Sequence, residues 1–243
     1  MIHHSTYLDD RLGFLSKQMK DKIERYKETD PDYYRWMYLG EVIGLGNHVY
    51  NMNYFKPLQS LPEDDRLIGI SFALDTGHQQ SATACGAYGL TAKGNVILLD
   101  TFYYSPAGKT IKKAPSELSV MIHDFIDKVM KTYRVPKLKM TIDSAEGALR
   151  NQYFKDYGER WHPVAKKKNQ TMIDMVISLL AEGRFYYLDT ENNKVFIEEH
   201  KMYRYDDKSL NTDDPKVIKE DDHTVDEFKY FVLDNARELR LKA

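Results

Sequence analysis

Residues 67–77 read Leu67-Ile68-Gly69-Ile70-Ser71-Phe72-Ala73-Leu74-Asp75-Thr76-Gly77, an apolar run that stops at an acid. A short apolar run bounded by turn residues is typical of a buried β-strand. The pattern returns at Met140-Thr141-Ile142-Asp143-Ser144-Ala145, where a second apolar run again ends in an aspartate and a small residue. The sequence therefore predicts two buried strands, each with an acid at its end.

The order of the other elements predicts a mixed sheet. The two acid-ended strands are 67–74 and 138–142, and the other predicted strands are 82–90, 96–104, 161–165 and 185–188. The predicted helices are 115–133, 145–157, 171–181 and about 223–239. The first three strands follow one another directly, which favours an antiparallel meander, whereas helices separate the later strands, which favours parallel additions. The predicted fold class is α/β, with a mixed sheet of five or more strands and helices on both faces.

Residues 1–62 differ from the rest and predict a small helical segment with a linker, ahead of a domain at 63–243. Apolar residues recur at helical spacing from Leu12 to Tyr26. Asp30 as N-cap and Pro31 in the first turn predict a second helix, which fades at Gly40. The stretch 56–62 contains two prolines and predicts the end of the linker.

Composition excludes several classes of protein. The 243 residues are 42% hydrophobic and 30% charged, which suits a folded globule rather than a disordered chain or a coiled coil. The single cysteine, Cys85, excludes an intramolecular disulfide and a cysteine zinc cluster, as expected in a reducing cytosol. The sequence contains neither an apolar run of membrane-spanning length nor a secretory signal at its start.

Charge is segregated along the chain although the formal total is only −2. Residues 150–168 carry a net charge of +4, and residues 189–227 carry −7. Such asymmetry can place a polyanion-binding rim beside a cation-binding centre. The alternative is two ordinary solvated faces, and charge alone favours that alternative.

The two strand-ending acids predict a cation site. In a sheet of this order, the strands that end at Asp75 and Asp143 can lie side by side and parallel, with their axes ~4.8 Å apart. Two carboxylates at that spacing repel unless one is protonated or a cation neutralises both. Mg²⁺ is the usual solution because it takes oxygen ligands. The alternative is that each aspartate makes an Asx turn or caps the next element.

A third acidic motif opens the last predicted helix, at Glu220-Asp221-Asp222-His223-Thr224-Val225-Asp226. Asp222 is predicted as the N-cap, and His223 and Asp226 share a helix face at i and i+3. Taken alone, the motif is an acidic, well-capped helix start. With the two strand acids it indicates a two-metal site, whose ions lie ~3.5–4 Å apart and hydrolyse a phosphodiester.

These three motifs together resemble the C-terminal nuclease domain of the large terminase subunit of tailed bacteriophages, which has a ribonuclease H-like fold. The resemblance covers about residues 66–240. Upstream, Ser5-Thr6-Tyr7-Leu8-Asp9-Asp10 and Trp36-Met37-Tyr38-Leu39-Gly40-Glu41 resemble the end of the family's ATPase domain and its linker. The resemblance implies a ribonuclease H-like domain at 63–243 that follows the tail of an ATPase domain.

The resemblance also implies roles for individual residues. The resemblance implies that Asp75, Asp143 and Asp226 are the metal ligands and that they bind two divalent cations, Mg²⁺ or Mn²⁺. The accessory residues would be His223 as a further ligand or water-orienting base, Glu146 as a supporting or occasional ligand, and Asp222 as a cap first and a ligand second. The implied activity is endonucleolytic cleavage of double-stranded DNA during viral genome packaging. The implied partners are a terminase ATPase domain, a small terminase subunit and a portal, in the cytoplasm of an infected bacterium.

Lysine clusters and a hairpin complete the predicted DNA interface. Phosphate contacts are expected from two loops that each precede a helix. Their lysines are Lys166, Lys167 and Lys168 in one loop, and Lys109, Lys112 and Lys113 in the other. The stretch 203–219 resembles a hairpin that borders the family's active site. Its acids, at 206, 207, 213 and 214, would repel a phosphate backbone, so we regard the hairpin as a hypothetical gate.

One feature departs from a full terminase motor. The phosphate-binding pattern Gly-x-x-x-x-Gly-Lys-Ser/Thr is missing, since Gly108-Lys109-Thr110 lacks the upstream glycine. No ATPase activity is therefore expected, and the chain would be a separated fragment or one product of a split gene. Two other functions stay open: a ribonuclease H-like recombinase or junction resolvase with the same acids, and a non-catalytic DNA clamp of a packaging motor.

Overall fold

The computed structural model describes residues 6–10, 13–29, 34–35, 38–39, 47–77, 81–210, 212 and 215–241. By their contacts the residues form two units, Met1–His48 and Val49–Ala243. In the first unit, helix α1 spans Lys17–Thr29. It starts after Ser16, whose hydroxyl accepts a hydrogen bond from the N–H of Met19 at 3.2 Å, and so begins later than the apolar spacing alone suggests. The predicted cap at Asp30 and Pro31 and the predicted helix end at Gly40 lie outside the described residues.

The second unit is built on a seven-stranded mixed sheet in the order β1-β7-β4-β3-β2-β5-β6. Its strands are β1 Lys56–Leu58, β2 Leu67–Asp75, β3 Thr83–Thr91, β4 Val96–Tyr104, β5 Lys137–Asp143, β6 His162–Val164 and β7 Phe185–Leu188. The pairs β2–β3 and β3–β4 are antiparallel, which confirms the predicted meander. All other neighbouring strands are parallel, as the intervening helices predict.

Five helices cover both faces of this sheet. They are α2 Pro115–Tyr133, α3 Gly147–Tyr157, α4 Asn169–Ala181, α5 Lys194–Met202 and α6 His223–Asp234. A hydrophobic core lies on each face of the sheet, and successive residues of β2 point alternately into one core and the other. Phe72 and Leu74 pack under α2 and α3, whereas Ala73 faces the core beneath α4, α5 and α6. The predicted arrangement, a mixed sheet with helices on both faces, is confirmed.

Three elements differ from the sequence prediction. Strand β1 lies within the predicted linker, and its parallel partner β7 is more than 120 residues away. Helix α5 was not predicted. Helix α6 ends at Asp234 rather than near Leu239, because Asn235 donates its side-chain amide to the carbonyl of Phe231 at 2.9 Å and accepts a hydrogen bond from the hydroxyl of Ser71 at 3.2 Å.

An aromatic cluster joins α6 to the sheet and to α5. Phe228 is fully buried, with ring centroids 4.8 Å from Phe185 and 5.4 Å from both Tyr88 and Phe196. His200 belongs to the same cluster, and burial lowers the pKa of its imidazole to about 3. The ring is therefore neutral at pH 7, and it behaves as one more aromatic side chain of the core. Within the part of the chain described here, no helix is long and apolar enough to cross a bilayer.

Candidate active site

Asp75 and Asp143 end adjacent parallel strands at the same edge of the sheet. In the β2–β5 register Leu74 lies opposite Ile142, so the next residue of each strand is one of the two acids. Both side chains are largely buried, with 9% of each residue exposed. The predicted juxtaposition of these two strands is therefore present, and it results from the parallel pairing rather than from any local turn.

Helix α6 brings a third acid, Asp226, into the same neighbourhood. Burial raises the pKa of Asp75, and the charge of Asp226 raises it further, although a hydrogen bond from His223 opposes the shift. Burial also raises the pKa of the Tyr230 hydroxyl, and three carboxylates add to that effect. These carboxylates are Asp226, Asp75 and Asp143. All three acids are therefore near enough to act electrostatically on one tyrosine hydroxyl, which donates a long hydrogen bond of 3.5 Å to Asp143 Oδ2.

His223 holds Asp75 in position. Its Nδ1 lies 2.9 Å from Asp75 Oδ2, and its Nε2 accepts a hydrogen bond from the backbone N–H of Ala82 at 3.2 Å. Because Nε2 accepts, Nδ1 carries the proton and donates it to the carboxylate. Burial lowers the pKa of His223, but the hydrogen bond and the charge of Asp75 outweigh burial and raise the pKa overall. With both nitrogens engaged, the ring orients Asp75 in this arrangement.

Three lysines neutralise the acids: Lys166 from a predicted DNA-binding loop, Lys219 from the end of the predicted hairpin, and Lys229 from α6. The ammonium group of Lys166 pairs with Asp143 and lies over the ring of Tyr230, 4.9 Å from its centroid. Lys219 lies 3.1 Å from a carboxylate oxygen of Asp226. Lys229, on α6 and almost fully buried, approaches Asp226 to 2.5 Å. Burial opposes ionisation of Asp226, but Lys229 and Lys219 outweigh it and lower the pKa of the carboxyl.

The donor chemistry of the cluster fits a hard divalent cation, because its ligating atoms would be carboxylate oxygens at the ends of rigid strands and a helix. Among the residues that the structure describes, no three His, Cys, Asp or Glu side chains already stand at metal-binding spacing. Lysine ammonium groups lie against the carboxylates of Asp143 and Asp226 instead. The carboxylates would have to exchange these ammonium partners for an ion.

Comparison with known protein families shows which family contains this arrangement of acids. The profile described as the terminase RNase H-like domain matches residues 75–234, a span that begins at Asp75 and includes Asp143 and Asp226. The chain belongs to the terminase RNase H-like domain family. The profile of the phage terminase large subunit matches residues 1–41. Among curated proteins, no significant relative was found.

Solved terminases show the same fold. A large terminase from a thermophilic bacteriophage is 21% identical, with a TM-score of 0.68 over 94% of this chain and 54% of the terminase chain. The nuclease domain of the bacteriophage SPP1 large terminase, solved with bound Mn, is 15% identical, with a TM-score of 0.54 over 76% of this chain and 97% of that domain. The terminase nuclease of the thermophilic phage G20c, solved with bound magnesium, is 13% identical, with a TM-score of 0.51 over 77% of this chain and 97% of that one. This terminase domain has the expected ribonuclease H-like fold, and the chain spans about half the length of the first of these three terminases.

Two further acids of this terminase domain lie next to the cluster. Glu146 is the N-cap residue of α3, and its backbone N–H donates to the carbonyl of Asp143 at 3.1 Å. Glu227 was not singled out from the sequence, although it is fully buried and adjoins Asp226. Its Oε1 accepts a hydrogen bond from Tyr88 at 2.6 Å, and burial raises the pKa of its carboxyl well above the usual range. Gly86 makes room for this acid, because a Cβ there would lie 2.5 Å from Glu227 Oε1.

The N-terminus of α6 is capped by a side chain from another helix. Asp222 occupies the N-cap position as predicted, but its side chain makes no capping hydrogen bond and instead pairs with Lys219 at 3.1 Å. Glu199 of α5 takes over this task. Its Oε2 accepts from both the N–H and the hydroxyl of Thr224 at 2.7 Å, and its Oε1 accepts from Tyr103 at 2.7 Å. Sequence patterns miss this cap because Glu199 lies 25 residues before Thr224.

Removing this cap is expected to destabilise the domain. Glu199→Ala leaves the N–H of Thr224 and the hydroxyl of Tyr103 without their acceptor, so we expect the free energy of unfolding to fall by about 1–3 kcal/mol. Glu199→Gln should cost less, because an amide oxygen can still accept from Thr224. Equilibrium urea denaturation measures both changes. Glu198→Ala, at the exposed neighbouring position, is the matched control and should stay within about 0.5 kcal/mol of wild type. Equal losses at positions 198 and 199 would contradict the capping role.

The predicted DNA-contacting lysines lie in two separate loops. Lys168 is the N-cap residue of α4, and Lys167 beside it is exposed. In the loop before α2, Lys109 lies over the ring of Tyr104 at 4.1 Å, and Lys113 pairs with Glu117 at 2.8 Å. Lys112, in the same loop, is exposed. Of the six predicted contacts, Lys166 is the one whose ammonium group pairs with a candidate metal ligand.

The stretch 203–219 forms the antiparallel pairing expected of a hairpin. Tyr205 pairs with Val217 across an antiparallel bridge, and the N–H of Asp206 donates to the carbonyl of Lys216 at 2.7 Å. At the end of this stretch, Lys219 contacts Asp222 and Asp226, which ties the hairpin to the acidic cluster. The predicted acids at 213 and 214 lie outside the described residues.

Proposed function

We propose that this terminase domain is a metal-dependent endonuclease that cleaves double-stranded DNA by two-metal-ion phosphodiester hydrolysis during viral genome packaging. One observation carries the proposal. Asp75 and Asp143 end adjacent parallel strands, and the charge of Asp226 on α6 acts on Asp75 and on the same tyrosine hydroxyl as the two strand acids. These three carboxylates would form a site for cationic chemistry on a phosphate group once ions displace the lysine ammonium groups that pair with Asp143 and Asp226.

The proposed cofactors are two divalent cations, Mg²⁺ or Mn²⁺. Asp75, Asp143 and Asp226 would hold them, with Glu146 and Asp222 as supporting acids. Bound at such a site, the ions would lower the pKa of a water molecule and stabilise charge on the scissile phosphate. The terminase nucleases of SPP1 and G20c, solved with bound Mn and magnesium respectively, support the choice of these ions.

The protein's own side chains would position the ligands and the substrate. His223 keeps Oδ2 of Asp75 fixed, and Oδ1 would face an ion. Lys166 lies next to Asp143 and next to the lysines proposed to bind phosphate. When DNA arrives, Lys166 can exchange the carboxylate for a backbone phosphate, and this would free Asp143 for an ion. The role of His223 is thus to position Asp75, and the role of Lys166 is to link DNA binding to the acids.

DNA would be held by Lys166, Lys167 and Lys168 and by the loop lysines Lys109, Lys112 and Lys113. Such contacts neutralise phosphates without reading sequence. Membership of the terminase family further supports a packaging motor as the setting. The proposed partners are therefore a terminase ATPase domain, a small terminase subunit and a portal, in the cytoplasm of the infected host.

Metal removal tests the proposed chemistry directly. With Mg²⁺ or Mn²⁺, the purified full chain is expected to convert supercoiled plasmid into open-circular and linear forms. EDTA in excess should abolish the conversion, and adding metal beyond the chelator should restore it. Agarose gel electrophoresis measures the three forms. Cleavage that persists in EDTA would contradict the proposal, whereas DNA binding without cleavage in any metal would favour the non-catalytic clamp.

A further inference from the structure

A groove lies between α3 and the beginning of β6, beside the edge of the sheet. Its cavity volume is about 570 Å³. It is lined by charged and aromatic side chains, among them Arg150, Phe154, Arg160, Trp161 and His162. We call this surface the Arg150–Arg160 groove. None of the acids proposed as metal ligands lines it, so it is separate from the candidate active site.

The groove carries two arginines that no carboxylate neutralises. Among the described residues, neither Arg150 nor Arg160 forms an ion pair, and Asp234, an acid beside the lining, has its carboxylate 3.0 Å from Nδ1 of His162. The guanidinium of Arg160 lies over the ring of Phe154, 4.1 Å from its centroid, which fixes the plane of the charged group. Two unpaired guanidinium groups make the groove complementary to an anionic partner.

The floor of the groove is apolar and includes one polar atom without a partner. Phe154 is 41% exposed, whereas Trp161 is 2% exposed. The indole Nε1 of Trp161 is buried and forms no hydrogen bond to any described residue. An apolar floor lowers the local dielectric constant, so a guanidinium at its margin interacts more strongly with an anion than it would in open water.

Strand β6 connects this groove to the candidate active site. In the β5–β6 register His162 lies opposite Thr141, and Val164 lies opposite Asp143. The groove at His162 is therefore only two residues, ~6.6 Å along a strand, behind the level of Asp143. Beyond Val164 the chain continues to Lys166. The two arginines and Lys166 thus belong to one basic edge that leads to the acids.

We propose that the Arg150–Arg160 groove binds the phosphate backbone of a DNA duplex beside the cleavage point and sets the direction in which the duplex crosses the acidic cluster. This inference rests on the proposed function. Arginine suits the task because its planar fork can donate two parallel hydrogen bonds to a phosphate. An acidic protein would also complement the charge, but the continuity of the groove with Lys166 and the candidate metal ligands favours DNA.

The test is the salt dependence of DNA binding by the full chain in EDTA, measured by fluorescence anisotropy with a labelled linear duplex. The slope of the logarithm of the DNA association constant against log salt is negative. Loss of two phosphate contacts in Arg150→Ala/Arg160→Ala should make it shallower by about 1.8, and should weaken binding at low salt by about tenfold or more. Arg150→Lys/Arg160→Lys retains the charges and should restore most of the slope. Phe154→Leu, which removes the ring beneath Arg160, should weaken binding to a smaller extent.

The matched control removes two positive charges elsewhere. Lys131 and Lys194 are exposed and pair with Asp127 and Glu191 on their own helical segments. Lys131→Ala/Lys194→Ala should leave the slope unchanged. Thermal unfolding of each variant reports whether it is folded. The single variants Arg150→Ala and Arg160→Ala, each expected to make the slope shallower by about 0.9, keep the test decisive if the double variant unfolds.

The outcomes separate this inference from the nuclease proposal. An unchanged slope in a folded Arg150→Ala/Arg160→Ala variant would overturn the groove's role in DNA binding, while plasmid cleavage by wild type would be unaffected. Conversely, a wild-type chain that binds DNA through the groove but cleaves in no metal would support the groove and overturn the nuclease. A slope lowered equally by the control pair would show a general charge effect and would also overturn the inference.

Discussion

Asp75→Ala is expected to abolish metal-dependent nicking of plasmid DNA, with a loss of at least about 10²–10³-fold, the cost of one electrostatic group removed from a pre-organised site. Asp75 is central because β2 presents it beside Asp143 and His223 holds it in place. Asp143 and Asp226 cannot replace it, since the proposed site already uses each of them as a ligand in its own right. Initial rates of open-circle formation in Mg²⁺ and in Mn²⁺ measure the loss.

Loss of activity should not reflect loss of the fold. Burial raises the pKa of Asp75, which means that the folded protein disfavours the charged form, so a neutral replacement is tolerated. Asp75→Asn is the sharper variant, because its amide oxygen can still accept from Nδ1 of His223 while the charge is lost. Asp127→Ala, which removes an exposed acid on α2, is the matched control and should nick at the wild-type rate. A folded Asp75→Asn protein that nicks normally would remove Asp75 from the proposed site.

Phe228→Ala is expected to lower the free energy of unfolding by about 3–5 kcal/mol, the usual cost of emptying a buried aromatic position. Phe228 is fully buried on α6, and its ring contacts aromatic side chains from β3, β7 and α5. Because the ring joins three elements, the surroundings cannot collapse into the cavity without moving a strand or a helix. The midpoint of urea unfolding, with the slope of the transition, measures the change.

Two comparisons make this prediction specific. Phe228→Leu retains most of the apolar volume and should cost clearly less than alanine. Ile111→Ala truncates a side chain that is 85% exposed, and it should stay within about 0.5 kcal/mol of wild type. Since Phe228 lies two residues after Asp226, the alanine variant should also lose nicking at temperatures where it is still folded. A loss of less than about 1 kcal/mol would contradict the packing described here.

The sequence was sufficient for elements whose signals are local. The apolar runs that end at Asp75 and Asp143 predict β2 and β5, because burial of a strand shows in consecutive residues. The intervening helix predicts their parallel pairing, and with it the meeting of the two acids. The start of α6 at His223 likewise follows from the acids before it. In contrast, β1 could not be predicted, since three residues that include a proline form a strand only where β7 supplies the partner.

The immediate surroundings of the acids depended on tertiary structure. Glu199 caps α6 from 25 residues away, and Lys166 reaches Asp143 from another loop. Lys229 could be placed on the same helix face as Asp226 by its spacing, but its burial and its close ion pair could not. Periodicity and capping rules describe neighbours a few residues apart, whereas the partners of a buried charge are set by which elements pack together. Local sequence therefore identifies the acids, and the packing of α5, α6 and the loop before α4 decides which groups neutralise them.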